Sequence, residues 1–171
     1  MKKIIVLIGV LLVSCAAFSQ RMAYVDTEYI LSKIPAYKEA QQELDNLTKE
    51  WQLEIQQQVD LLDEMYKQYQ VDKVLLSKDM RAKREQKIID KEKEVKELQR
   101  RRFGPEGDRV EKEKEFIQPI QEEVFTAVET FAEEENYAFI FDAATSSMTL
   151  LFTDSKYDMS DKVLKNLGYL K

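Results

Sequence analysis

The sequence predicts a mainly α chain with a small β base (α+β), organised around a long antiparallel helical coiled-coil hairpin. Three observations predict it. Apolar residues recur every three or four positions at Tyr37, Ala40, Leu44, Leu47, Trp51, Ile55, Val59, Leu62, Tyr66 and Tyr69, a continuous stripe along one helix face. A thinner stripe returns through Ile88, Val95, Leu98, Val110, Ile117, Ile120, Val124, Val128 and Phe131, with long charged stems between, which cover apolar surface while their heads stay wet. The two arms also differ in charge. Residues 36–76 hold four basic and nine acidic side chains, and residues 77–115 hold fourteen basic and eleven acidic.

Each arm outruns an ordinary globular helix. At 1.5 Å per residue, an arm of about 40 residues extends roughly 60 Å. An acidic arm folded against a basic one gains about 0–1 kcal/mol for each exposed pair. The charges therefore set register and orientation more than stability. The expected division is a leader over residues 1–19, a base from residues 20–35 and 119–171, and a hairpin arm over residues 36–118.

The leader has Lys2 and Lys3, an apolar run over residues 4–13, and small residues after it. This is the pattern of a secretory signal, with an apolar run too short to span a bilayer comfortably. Ala17 and Ser19 place cleavage before Gln20. Leu12-Val13-Ser14-Cys15 alternatively resembles a lipoprotein box that would leave Cys15 lipidated.

Composition removes whole classes of chemistry. Histidine is absent and Cys15 is the single cysteine. No Ser-His or Cys-His pair is available for nucleophilic catalysis. A zinc or copper site has lost its usual ligands, and no phosphate-binding loop or Asp/Asn/Gly metal loop is present. The remaining candidates, Asp26, Asp142, Asp154 and Asp158, sit where helix caps and strand ends favour Asp. The expectation is a chain without enzymatic activity, metal or cofactor. Loss of Lys2 and Lys3 moves the net charge from −6 to −8, so nucleic acid is not an expected partner.

Residues 21–26 read as a short strand and residues 27–34 as a short helix, capped by Asp26 or Thr27. Pro35 breaks that helix and can open the long arm. The hairpin turn falls between Val71 and Met80, with Ser77 as a cap and Asp79 in the first turn of the returning helix. Pro119 marks a second bend, and Asn136 ends the last long helix. Residues 137–142 and 148–153 read as two strands of a hairpin. Residues 154–157 form a loop, and Asp158 or Ser160 caps a final helix with Val163, Leu164 and Leu167 apolar. Tyr24, Val25, Phe139, Ile140, Phe141, Leu150 and Phe152 are the expected oligomer core of the base. Three short strands are too little sheet to stand alone, which implies more than one chain.

Tyr24-Val25-Asp26, Ile30-Leu31, the run from Ile34 through Ala40, and Leu44 resemble the opening of the Skp/OmpH family of periplasmic chaperones. Phe139-Ile140-Phe141-Asp142-Ala143 and the later run from Asp158 to Leu164 resemble its close. The likeness extends over the whole chain after the leader. It implies a homotrimer whose small β base is shared by three chains, with helical arms enclosing a cavity for unfolded outer-membrane (β-barrel) proteins. It implies a periplasmic location and activity without ATP. The sequence departs from the best-known members in charge, which are basic where this chain is acidic. Attraction of acidic clients by positive arms is therefore not carried over.

Two stretches are candidates for contact. Val74, Leu75 and Leu76 at the turn, with Met65, Tyr69 and Met80, either close the two-helix interior or grip a client chain. Gly104, Pro105 and Gly107 interrupt the returning helix, as a hinge or as a fixed kink. The adjoining Arg100, Arg101 and Arg102 either meet phosphate and lipid headgroups, a peripheral membrane contact, or pair with the acidic arm. Against the chaperone stands a structural reading: a coiled-coil envelope protein, a lipid-tethered spacer or adaptor without chaperone activity.

Overall fold

The computed structural model describes residues 21–144 and 151–170. The expected leader over residues 1–19, with Cys15, and Gln20 after it lie outside the described residues, as does Leu150 with the first half of the second expected strand. The chain divides into two units, one from residues up to Lys33 together with Val124 onward, the other spanning Ile34–Glu123.

The first unit begins with strand β1, Arg21–Val25, and helix α1, Thr27–Lys33. Asp26 caps α1 by accepting the Tyr29 N–H at 2.8 Å. Much later, strand β2, Tyr137–Asp142, lies beside β1 in parallel. Parallel neighbours need a long crossover, and here the intervening chain includes the entire second unit. Met22 is opposite Phe139, Ala23 opposite Ile140 and Tyr24 opposite Phe141, with an irregularity between Arg21 and Met22. Side chains alternate across a strand, so Ala23, Val25 and Ile140 share one face while Met22, Tyr24, Phe139 and Phe141 share the other. The first face is the inner one: Ala23 and Val25 are buried, with Ile30, Leu31, Val163 and Leu164.

The final helix, α6, is Ser160–Asn166. It starts where Asp158 accepts both the Ser160 N–H and hydroxyl, and Ser160 Oγ in turn accepts the Asp26 N–H at 2.9 Å. Asp142 closes the same corner by accepting the Thr27 N–H and hydroxyl at 3.2 and 2.7 Å. A further bridge joins Tyr24 to Asp158 on β1.

Of the second strand expected in a hairpin over residues 148–153, the described part is Leu151–Thr153. Leu151–Thr153 carries no strand, and Phe152 is 85% exposed in the single chain, lining a groove with Tyr24 and Phe141. β2 takes β1 as its described partner, so its apolar run did not have to be answered by the next run in sequence. Phe139, expected in the oligomer core, is 53% exposed in the single chain, because it lies on the outer sheet face.

The second unit holds helix α2, Pro35–Asp72, and helix α3, Lys78–Phe103, then α4, Asp108–Phe116. Helix α5, Gln118–Glu134, crosses the boundary between the units. Pro35 stands in the first turn of α2 behind an extended Ile34, as proline prefers. The pairing of α2 with α3 is antiparallel: Tyr69 meets Glu85, Tyr66 meets Glu92, Gln58 meets Lys91 and Glu54 meets Arg102. Leu44 and Tyr69 of α2 are buried, as are Ile88, Val95 and Leu98 of α3. Between Leu44 and Tyr69 the stripe residues Leu47, Trp51, Ile55, Val59 and Leu62 are half-buried.

Ser77 caps α3, its Oγ accepting the Met80 N–H at 3.4 Å. Pro119 does interrupt the helix: α4 gives way to α5 at Ile117, whose carbonyl accepts the N–H groups of both Ile120 and Gln121 at 3.1 Å. Asn136 adopts a left-handed φ of 57° just after α5, which asparagine tolerates at a helix end.

Candidate functional site

No catalytic constellation emerges around the four candidate carboxylates. Asp26, Asp142 and Asp158 fix the start of α1 and α6 as described, and Asp154 Oδ1 accepts the Lys156 N–H at 3.1 Å in a short 3-10 turn over Ser155–Tyr157. All four are occupied in holding backbone. Among the described residues no group of three or more His, Cys, Asp or Glu is placed to hold a metal ion. The chain instead offers three surfaces.

The first is the outer face of the two-stranded sheet. Met22 is 52% exposed and stands opposite Phe139. Phe139 stacks on Phe141 with ring centroids 6.4 Å apart. Tyr24 and Phe141 are half-buried beside them. A two-stranded sheet has only one face to bury against its own helices, and the burial of Ala23 and Val25 marks the inner one.

The second is the turn between α2 and α3. Val74 is 81% exposed, Leu75 85% and Met80 54%, with Val71 beside them at 74%. Leu76 and Met65 are half-buried. The turn residues therefore do not close the two-helix interior. Tyr69 does, and its candidacy as a client contact is corrected: it is 5% exposed and its hydroxyl donates to Glu85. Its position on the inner stripe, three residues after Tyr66, explains the burial. Tyr66 donates to Glu92 in the same way. These carboxylate partners, together with partial burial, raise both phenol pKa values above 10.0.

The third is the break between α3 and α4. Gly104 and Gly107 allow backbone to pass where a side chain would not fit. A Cβ on Gly104 would lie 2.3 Å from the Arg100 carbonyl oxygen, and one on Gly107 would lie 2.7 Å from that of Arg101. Around this close passage Arg102 joins three helices. Its Nη2 is 2.9 Å from Glu54 Oε2 on α2, its Nη1 reaches Asp108 on α4, and its guanidinium lies 5.3 Å from the Trp51 ring centre. Phe103 meets Trp51 edge-on at 6.3 Å. Burial alone would lower the Arg102 pKa, but the hydrogen bonds and charges of Asp108 and Glu54 outweigh it and raise the value. The three arginines are thus unequal: Arg100 and Arg101 are exposed, and Arg102 is half-buried.

Sequence reasoning offered pairing of the three arginines with the acidic arm as one alternative without singling out Arg102, and it missed the two Tyr–Glu bonds. Arg102 was in reach, because it falls four residues after Leu98 on the same face as Ile88 and Val95. Charge counting concealed the tyrosines, since it pairs only opposite signs.

The fold is similar to that of solved chains. A crystal structure of an OmpH-like outer membrane chaperone candidate from Caulobacter crescentus CB15 superimposes with a TM-score of 0.65, covering 87% of this chain and 84% of that one at 13% identity. That identity establishes a shared fold and nothing finer. No curated protein matches the chain. The family described as outer membrane protein (OmpH-like) matches residues 21–167, which spans both units described above. The chain belongs to the OmpH-like family.

Proposed function

We propose that the protein is an ATP-independent periplasmic holdase that binds unfolded outer-membrane β-barrel proteins and prevents their aggregation. The family match over residues 21–167 carries this reading. The amount of apolar surface left open supports it. The outer sheet face, with Met22 and Phe139 about half exposed, has the composition of an oligomer contact. In this reading three chains share that face as a trimeric base, and their hairpins enclose a cavity. Met65, Val74, Leu75, Leu76 and Met80 are the client contacts to test first, Met in particular because it repacks readily. The leader directs export with cleavage before Gln20; lipidation at Cys15 is the alternative maturation.

The deciding experiment mixes purified protein with a denatured β-barrel protein, without nucleotide, and follows light scattering. Suppression of aggregation at stoichiometric ratios is expected. Undiminished aggregation at excess protein would remove the holdase reading and leave a coiled-coil envelope spacer. Mass spectrometry of the mature N-terminus distinguishes a free residue 20 from a lipidated Cys15.

A further inference from the structure

The inner stripe of α2 is not its only periodic face. A second row steps by three and four along the opposite side, from Glu39 to Val71, and every residue on it is exposed. Carboxylates stand at Glu39, Glu43, Glu50 and Glu64, and apolar side chains at Leu53, Leu61 and Val71. Asn46, Gln57 and Gln68 fill the remaining steps, and no lysine or arginine falls on the row. Leu53 is 64% exposed, Leu61 45% and Val71 74%.

The basic arm does not neutralise these carboxylates. α3 reaches α2 at Glu54, Gln58, Tyr66 and Tyr69, and Arg84 faces Asp72, none of them on the row. Among the described residues no ion pair involves Glu39, Glu43, Glu50 or Glu64; Glu64 instead accepts from Gln68 at 3.3 Å within the row. Residues 36–71 hold eight carboxylates against three lysines, and half of those carboxylates lie on this one face. Charge of a single sign, in step with open leucines, fits a partner of opposite sign that carries apolar side chains of its own.

We infer that this face receives segments of unfolded client chain in which apolar residues are interleaved with Lys or Arg. The apolar side chains pack on Leu53, Leu61 and Val71, and the cations settle on the glutamates between them. The inference deepens the holdase reading, on which the identity of the bound chain rests, by giving its clients a sign.

The test follows the anisotropy of a fluorescein-labelled peptide of repeating Leu-Ser-Lys with the mature protein, residues 20–171, against Leu-Ser-Glu and Gly-Ser-Lys counterparts. Binding about tenfold or more tighter than either counterpart is expected, weakening as salt screens the glutamates. Leu53→Ser/Leu61→Ser should lose most of that affinity, and Glu43→Gln/Glu50→Gln/Glu64→Gln most of its salt dependence, both with helical circular dichroism unchanged. Equal affinity for the Leu-Ser-Lys and Leu-Ser-Glu peptides would overturn the inference, as would unchanged affinity in both row variants. Charge-selective peptide binding without suppression of aggregation would keep this surface and remove the holdase; suppression with no preference of sign would do the reverse.

Discussion

Tyr66 and Tyr69 bind α2 to α3 through hydrogens they hold only while protonated. Their hydroxyls donate to Glu92 and Glu85, and the phenol pKa values rise above 10.0 in consequence. A pKa raised on folding means that stabilisation is fully present below pH 10 and is lost as pH climbs through the raised value. Thermal unfolding measured from pH 8 upward should therefore show stability falling above pH 10, and Tyr66→Phe/Tyr69→Phe should flatten that fall. Arg102 is the other residue whose loss should be felt beyond its own bonds. Arg102→Ala leaves Glu54 and Asp108 without their shared cation. Glu54 and Asp108 are 39% and 31% exposed, so water limits the cost to about 1–2 kcal/mol. Trp51 emission should move to the red in the same variant, because the guanidinium and Phe103 cover that ring.

At the scale of elements, we propose that the break between α3 and α4 is a joint of fixed angle, because Arg102 ties it to Glu54 of α2 and Asp108 of α4. Gly104→Ala forces a methyl group to within 2.3 Å of a backbone carbonyl, and backbone cannot step aside as a side-chain tip can. A loss of about 1–3 kcal/mol is expected by denaturant titration, whereas a freely moving hinge would accept alanine without penalty. The hairpin itself was readable in the sequence. Steps of three and four from Tyr37 to Tyr69 gave α2, and Ser77 and Asp79 placed the start of α3 within the observed turn. The exposure of Val74 and Leu75 was not readable, because a three-residue apolar run looks alike whether it closes an interior or caps an end. Phe152 shows the same ambiguity in strands. Its run reads as a strand from aromatic and β-branched content, yet Leu151–Thr153 carries none.

For the whole molecule, the sheet supplies the sharpest test. Its inner face carries Ala23 and Val25, each 3% exposed or less; its outer face stays open at Met22 and Phe139. If that open face is the oligomer contact, Met22→Glu/Phe139→Glu should convert a multimer to single chains in sedimentation velocity. The inner face should respond differently. Leu164 is fully buried, so Leu164→Ala should cost about 2–5 kcal/mol, seen as early melting whatever the association state. A protein that sediments as one robust chain before any substitution would end the trimer proposal.

The parallel partnership of β1 and β2 also sets a timetable. Arg21 and Tyr137, whose side chains meet at 3.1 Å, are 116 positions apart. Ribosomes deliver the first strand long before its mate exists, while α2 and α3 can zip together as soon as both have emerged. Distant ends close late, since their loop entropy must be overcome before any contact rewards it. Pulse-labelled amide exchange during refolding should accordingly find protection at Ile88 and Val95 before it appears at Ala23 and Ile140, leaving the nascent protein for a time as a zipped rod with loose, greasy ends.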